Sequence, residues 1–449
     1  MLNSPIGRAI ATAVGLGLAA VAPASAETLA EAMAAAYANN PTLNAQRAAL
    51  RATDEGVPQA LSGFRPTVSA AASAGVTSSG SGTLYPRTIS ITVEQPIFLG
   101  HRTTNGVKIA ETAVLAGREA LRNTEQNTLL AAAEAFMGVV QAQAILNLRR
   151  ENLDFLAEQV RAAEDRLNVG EGTRTDVAQT RARQSAGQAA FNVAAAQLNT
   201  AIATYQQVIG HQPTSLGAAR PVDTMLSPTL NAALADAMTS HPAILAAGYN
   251  IDIAEFNVKV TEGELLPSVT VAGTLSHGID SGGPGPSNSA SLVGRLSVPI
   301  YSGGATSSKV RQGKEVLGQR RIELDVARDT VRQAVISAWG GLDAARAQIR
   351  AAEAQVAAEQ LVVSGVMEER RVGQRTTLDV LNAQQELINA RVSLVSAQHD
   401  RVIASYALLA SVGRLSADQL GLVVQRYDPT HHYIQVRDKW GGLRTPDGR

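Results

Sequence analysis

The sequence predicts a mainly α-helical chain with a β-barrel part: long antiparallel coiled-coil helices carrying two pairs of β-strands, written as an internal two-fold repeat. Three observations predict it. VGEGTRTDV at 169–177 returns as VGQRTTLDV at 372–380, so Val169, Gly170, Thr173, Asp176 and Val177 recur as Val372, Gly373, Thr376, Asp379 and Val380, each displaced by 203. No proline interrupts about 101–168 or about 305–371. At about 1.5 Å per residue such helices reach about 100 Å, a length no compact domain contains. Ahead of each lie segments that alternate apolar and polar residues at period two, as half-buried strands do.

The duplication covers most of the chain, and a repeat on this scale governs the rest of the reading. Thr28-Leu-Ala-Glu-Ala-Met with Asn40-Pro41 matches Thr229-Leu-Asn-Ala-Ala-Leu with His241-Pro242, and Phe64-Arg65-Pro66 matches Leu265-Leu266-Pro267, both at a shift of 201. Gln95-Pro96-Ile97-Phe98 matches Val298-Pro299-Ile300-Tyr301 at 203, so two residues are added in the Gly/Pro stretch at 282–286, where a hairpin tip tolerates them. The expected organisation is a leader at 1–26, a first repeat at 27–212, a linker at 213–228, a second repeat at 229–412 and a tail at 413–449. Each repeat reads as one helix, a β-hairpin (about 67–96; about 268–299), a long helix (about 101–168; about 305–371), a tip (169–175; 372–378) and a return helix (176–210; 379–412).

The first helix of each copy has Pro41 or Pro242 at its start, with Asn40, a good cap, or His241, a poor one, before it. In the strands Val68, Ala70, Ala72, Ala74 and Val76 oppose Thr67, Ser69, Ser73 and Thr77, and Ile89, Ile91 and Val93 oppose Thr88, Ser90, Thr92 and Glu94. Val269, Val271 and Leu275 likewise oppose Ser268, Thr270, Thr274 and Ser276, and Leu292, Leu296 and Val298 oppose Ser291, Arg295 and Ser297. The Ser/Thr face is too polar for a sandwich core and suits a barrel with an apolar outside and a wet lumen.

The return helices place Val177, Phe191, Leu198 and Tyr205 at one heptad position with Ala194, Ala201 and Val208 at the other, and Val380, Leu387, Leu394 and Leu408 with Ala383, Ala390, Ala397 and Ala404. A large residue facing mostly Ala lets helices pack closely, and Gln184 and Arg401 interrupt the seam. Gly170 and Gly373 read as left-handed helix ends, and Asp176 and Asp379 as acidic starts of the returning helices.

Composition narrows the function. Of 449 residues 45% are hydrophobic but only 4% aromatic, so the apolar content is mostly Ala, Val and Leu, suited to helices in close contact. Charge balances at 39 basic against 39 acidic residues, which argues against a nucleic-acid partner. The chain has no cysteine, hence no disulfide, thiolate site or thiol for a lipid anchor. No catalytic or phosphate-binding motif occurs, no cofactor or metal is expected, and His431-His432 is the one adjacent histidine pair. Arg8, the apolar run Ala9–Val21 and Ala24-Ser25-Ala26 read as a secretory signal. No later stretch approaches 18 apolar residues, so an integral membrane contact is expected to use strands.

With this order of elements and the paired VGxxTxxDV tips, the sequence resembles the TolC family of outer-membrane efflux and secretion proteins. The tail His432-Tyr433-Ile-Gln-Val-Arg437-Asp-Lys439-Trp440-Gly441 also resembles endings found in its alpha-proteobacterial members. The resemblance implies a homotrimer in the outer membrane, four strands from each protomer closing one transmembrane β-barrel and the helices forming a coiled-coil barrel through the periplasm. It implies a non-enzymatic exit duct for drugs or proteins in a tripartite pump or type I secretion system. The partners it implies are a periplasmic adaptor, an inner-membrane RND, ABC or MFS transporter, and outer-membrane lipid.

The resemblance also implies site residues. Thr175-Asp176 matches the family's first-tip Thr-Asp, and Arg375 a second-tip Arg that links the coiled coils. Asp379 occupies the place of an inward acidic ring at the periplasmic constriction, while Asn382 stands where a second Asp is found. Arg370 replaces a linking Tyr, so the resting tip is expected to be held shut by Asp176 with Arg370 and by Arg375 with the Thr175 region. The tip turns Val169, Gly170, Thr173, Val372, Gly373 and Thr376 are expected to meet the adaptor. A plainer reading leaves Asp176 and Asp379 as helix caps only, and a periplasmic coiled-coil adaptor outside the membrane is the alternative function.

Overall fold

The computed structural model describes residues 26–80, 82–281 and 285–448; the expected leader at 1–26 lies, apart from Ala26, outside the described residues. The chain runs α1 (Leu29–Asn39), α2 (Pro41–Asp54), α3 (Gly56–Leu61), β1 (Thr67–Ala74), β2 (Thr77–Ser79), β3 (Gly82–Leu99), α4 (Arg102–Asn168) and α5 (Arg174–Ile209). The second copy follows as α6 (Leu230–Ser240), α7 (Pro242–Gly263), β4 (Ser268–Ser281), β5 (Ser287–Ser297), α8 (Ala305–Arg371) and α9 (Thr377–Ser411), and the tail carries α10 (Pro429–Val436).

The first copy opens with α1, α2 and the short α3 and the second with α6 and α7, where the sequence reading expected one helix in each. Pro41 and Pro242 have no N–H to continue a helix and push the preceding residue out of the α region; Asn40 and His241 sit at ψ 123° and 126°. Both residues then cap the next helix. Asn40 accepts from the N–H of Thr42 and Leu43, and His241 Nδ1 accepts from Ala243 N at 3.2 Å.

The strands form one antiparallel sheet in the order β1-β3-β4-β5, and β2 resumes the first strand beyond a break at Gly75 and Val76. Cross-strand pairs keep the expected faces together: Val68 opposite Val93, Ala70 opposite Ile91, Leu275 opposite Ala290 and Val269 opposite Leu296. Ile89, Ile91, Val93, Leu275, Leu292 and Leu296 are exposed. On the other face Thr88, Ser90 and Thr92 are half-buried, and the Thr92 and Thr274 hydroxyls lie 3.2 Å apart. A bulge between Pro96 and Phe98 absorbs the proline, which has no N–H for the ladder.

Where sheet meets helices the backbones touch. Gly100 has φ +62°, and a Cβ on it or on Gly263 would lie 2.3 Å from the other's carbonyl oxygen. Only glycine fits at either place.

α4 pairs with α5 and α8 with α9, so the chain forms two long helical hairpins. Val177, Ala194 and Tyr205 are buried in the first, and Val380, Ala383, Leu387, Ala390 and Ala397 in the second. The largest core lies at mid-length, where Met33, Ala36 and Tyr37 of α1 pack with Leu129, Phe136 and Met137 of α4, Tyr205 of α5, Leu409 of α9 and Leu415 of the tail. The 3-10 turn Asp223–Met225 also joins helices, because Asp223 pairs with both Arg346 of α8 and Arg401 of α9. Phe136 is fully buried, and its repeat counterpart Trp339 packs beside Val335 and Leu342.

One sequence expectation needs correction. α4 contains a window long and apolar enough to cross a membrane, because its Ala-, Leu- and Val-rich centre is written for burial under α1 and the tail. At about 100 Å the whole helix is more than three times the thickness of a bilayer core.

Candidate functional site

The far tips of the two hairpins are built alike. α4 ends at Asn168 and α8 at Arg371; Gly170 and Gly373 both take φ +81°. The reversal lets Glu171 N donate to Arg166 O and Gln374 N to Glu369 O, both at 2.8 Å, which satisfies carbonyls the helix leaves open. Thr173 and Thr376 then cap the return helices. Thr173 Oγ1 accepts from Asp176 N at 3.1 Å, and Thr376 Oγ1 from Asp379 N at 3.2 Å. In return Asp176 Oδ2 accepts from Thr173 N and Oγ1 at 3.2 and 2.7 Å, and Asp379 Oδ2 from Thr376 N and Oγ1 at 2.9 and 2.8 Å. These are complete capping boxes, so α5 and α9 begin two residues before the positions read from sequence. The backbone N–H of Thr376, then its hydroxyl, then the charge of Arg375 hold the Asp379 carboxyl below the usual range.

The expected contact between Asp176 and Arg370 does not form. Asp176 spends its carboxylate on its own cap, and Arg370 reaches across from α8 to α4, where Nη1 donates to Gln159 Oε1 at 2.8 Å. Burial, and then the charge of Arg166, lower the Arg370 pKa from its ordinary value. The expected contact of Arg375 with the Thr175 region does not form either. Arg375 Nε donates to Glu369 Oε2 at 2.9 Å and closes its own turn, and Thr175 is exposed.

Asn382 has a partner that the sequence reading missed: Arg183 Nη2 of α5 donates to its Oδ1 at 2.9 Å. Gln159, Arg183 and Glu369 thus belong with the predicted residues. A signal for them existed. At the repeat shift of 203, Leu167 corresponds to Arg370, Arg166 to Glu369 and Gly172 to Arg375, so the linking residues stand where the two copies stop matching.

At the tips Asp176 and Asp379 are engaged in caps, Glu369 pairs with Arg375 inside its own turn, and Arg370 and Arg183 tie helix to helix. The family model described as "Outer membrane efflux protein" matches residues 32–211 and 233–414. The chain belongs to the outer membrane efflux protein family. The two matched spans are the two copies of the repeat. The Brucella suis outer membrane efflux protein BepC is 50% identical over 435 residues, covering 95% of this chain and 94% of that protein. The alkaline protease secretion protein AprF of Pseudomonas aeruginosa is 27% identical over 353 residues, 76% of this chain and 72% of that protein. The Campylobacter jejuni CmeC outer membrane channel superposes with a TM-score of 0.78 at 16% identity, over 91% of this chain and 89% of that chain, and shares the fold. As an outer membrane efflux protein the chain has its strands in the outer membrane and its hairpins in the periplasm, and the alternative of a periplasmic adaptor is set aside.

Proposed function

We propose that three copies of the chain form an exit duct, twelve strands closing a barrel in the outer membrane and twelve long helices enclosing a periplasmic tunnel. The observation that carries this is the four-stranded sheet with an apolar exposed face and two open edges, β1 and β5, in a family of outer-membrane channels. Four tilted strands cannot close a cylinder, and an open edge is excluded from lipid, so identical copies must supply the missing partners. Three copies give twelve, an even number within the known range.

The duct takes its cargo from a periplasmic adaptor and an inner-membrane transporter of RND, ABC or MFS type, and serves drug efflux, type I secretion of proteins, or both. The domain scheme read from the sequence is kept in this proposal, with the linker at 213–228 and the first part of the tail, about 413–427, forming a belt at mid-length; the rest of the tail, expected in the same belt, runs on toward the sheet. The tips are the gate and the adaptor's docking place, and transport involves no catalytic step. Asp379 and Asn382 face the constriction, and Val169, Gly170, Thr173, Val372, Gly373 and Thr376 shape the turns. Arg370 with Gln159 and Arg183 with Asn382 take over the closing role first assigned to Asp176 with Arg370.

The test is reconstitution. The mature chain should run as a heat-modifiable trimer and give low, voltage-tolerant conductance in planar bilayers; a monomer without pores would refute the duct. Comparing the secreted proteins with the drug susceptibility of a deletion strain then separates the two cargo classes.

A further inference from the structure

The tail after α10 has an exposed end that the duct reading leaves without a role. From mid-length it climbs toward the sheet along α2 and α4. Tyr427 N donates to the Tyr37 hydroxyl at 3.2 Å, His432 Nδ1 lies 2.9 Å from Asp54 Oδ2, and Arg437 Nη2 donates to Glu111 Oε1 at 3.2 Å. The climb ends where Arg65 Nη1 donates to Lys439 O at 2.8 Å and the Arg65 guanidinium lies 4.6 Å from the centre of the Trp440 ring. Arg65 is two residues before Thr67, the first residue of β1. Trp440 therefore stands level with the periplasmic rim of the sheet.

Trp440 is nonetheless 74% exposed, and Leu443 beyond it is fully exposed. The same rim carries exposed Phe64, Leu265 and Leu266, directly below the exposed apolar stripe that begins at Val68. Lys439 and Arg444 flank Trp440. An indole with a polar edge, a nearby aliphatic side chain and flanking cations at the edge of an apolar band is the composition of a membrane–water interface.

We propose that residues 439–444 are an interfacial anchor: Trp440 and Leu443 enter the periplasmic leaflet of the outer membrane, and Lys439 and Arg444 lie among the phospholipid headgroups. The surface is continuous with the lipid-facing band of the barrel, and Arg65 holds the indole at the depth where that band begins. This fixes the tail, and through His432 and Arg437 the helices α2 and α4, against the membrane plane. The inference rests on the outer-membrane location of the sheet.

The chain has two tryptophans, Trp339 and Trp440, and Trp339 packs within the periplasmic helices, so fluorescence can isolate the tail. The Trp339→Phe trimer is reconstituted in phosphatidylcholine–phosphatidylglycerol vesicles, with and without lipid brominated near the headgroup. The wild-type signal minus that of Trp440→Phe supplies the same quantity independently. Blue-shifted Trp440 emission that brominated lipid quenches is the expected result. Red-shifted emission open to aqueous iodide would overturn the anchor. So would blue-shifted emission that brominated lipid leaves intact, which marks cover by a neighbouring copy. Pore conductance measured on the same vesicles keeps failure of the anchor distinct from failure of membrane insertion.

Discussion

Arg183 on α5 donates from Nη2 to Oδ1 of Asn382 on α9 at 2.9 Å, so the return helices of the two copies are tied together one turn above the Asp379 cap. The acceptor is neutral and the pair is exposed, which makes the link weak and adjustable. Asn382→Asp should convert it into an ion pair worth about 0 to 1 kcal/mol and lower the resting conductance in planar bilayers, whereas Arg183→Ala should raise it. Unchanged conductance in both variants would remove this contact from the gate.

A second link joins the copies through Arg370 and Gln159, and it is half-buried with Arg166 nearby. Gln159→Leu would leave the guanidinium without its acceptor and should cost roughly 1–3 kcal/mol, seen as a lower urea midpoint of the trimer. Gln159→Glu should do the opposite at the gate, because a carboxylate facing Arg370 makes a charge-assisted bond and holds the tip shut more firmly. Single-channel recordings of the two variants should diverge in sign.

The capping boxes make a separate prediction. Thr173→Ala and Thr376→Ala should each destabilise the local helix start by about 0.5–2 kcal/mol, and amide exchange should quicken at 174–177 or 377–380. For Asp379 the folded pKa is depressed, so its cap is fully present above the ordinary aspartate value and is lost as pH falls through the lower folded value. Asp379→Ala should also reduce cation selectivity and block by multivalent cations if the proposed ring is where the tunnel narrows.

His241 offers a pH test well away from the tips. Its ring nitrogen caps α7 only when unprotonated, and burial followed by the charge of Arg122 pushes its pKa below the ordinary value. A depressed folded pKa means that its contribution to stability is complete above about 6.5 and lost as pH falls through the folded value. His241→Asn, which copies Asn40 of the first repeat, should keep the cap and flatten that acid-side loss in a stability-versus-pH profile. A profile identical to wild type would assign the loss to other groups.

The repeat, the strand faces and the glycine turns were legible because each follows from a local rule, period two on a half-wet sheet and Gly at a left-handed helix end, whereas the Thr173 and Thr376 caps, three residues before Asp176 and Asp379, were passed over for the acidic residues themselves. The split of each first helix at Asn40-Pro41 and His241-Pro242 obeys an equally local rule, but the repeat alignment masked it by treating the proline as a start alone. The partners of Arg370 and Arg375 could not be read in this way. A guanidinium spans several residues of helix, so which acceptor it reaches depends on how α8 lies against α4 and on Asp176 being already occupied by Thr173. Likewise the apolar centre of α4 looked unremarkable until α1 and the tail were seen to cover it.

The joint between Gly100 and Gly263 carries the last prediction. Gly263→Ala would place a Cβ 2.3 Å from the Gly100 carbonyl oxygen, a clash with backbone that no rotamer relieves. Overpacking of this kind costs typically 1–3 kcal/mol, and here it should cut the yield of heat-modifiable trimer, with Gly263→Ser at least as severe.

Mechanically, that joint is a weld. With carbonyl against Cα and no side chain between them to slide or rotate, the first and second copies cannot shear past one another at the foot of the sheet. Any dilation of the distal end must then be spread along the helices themselves, whose coils can unwind a little at each of many turns. In the proposed duct, the membrane collar would then stay rigid if the opposite mouth moves, which would isolate the lipid seal mechanically from a gate at the tips.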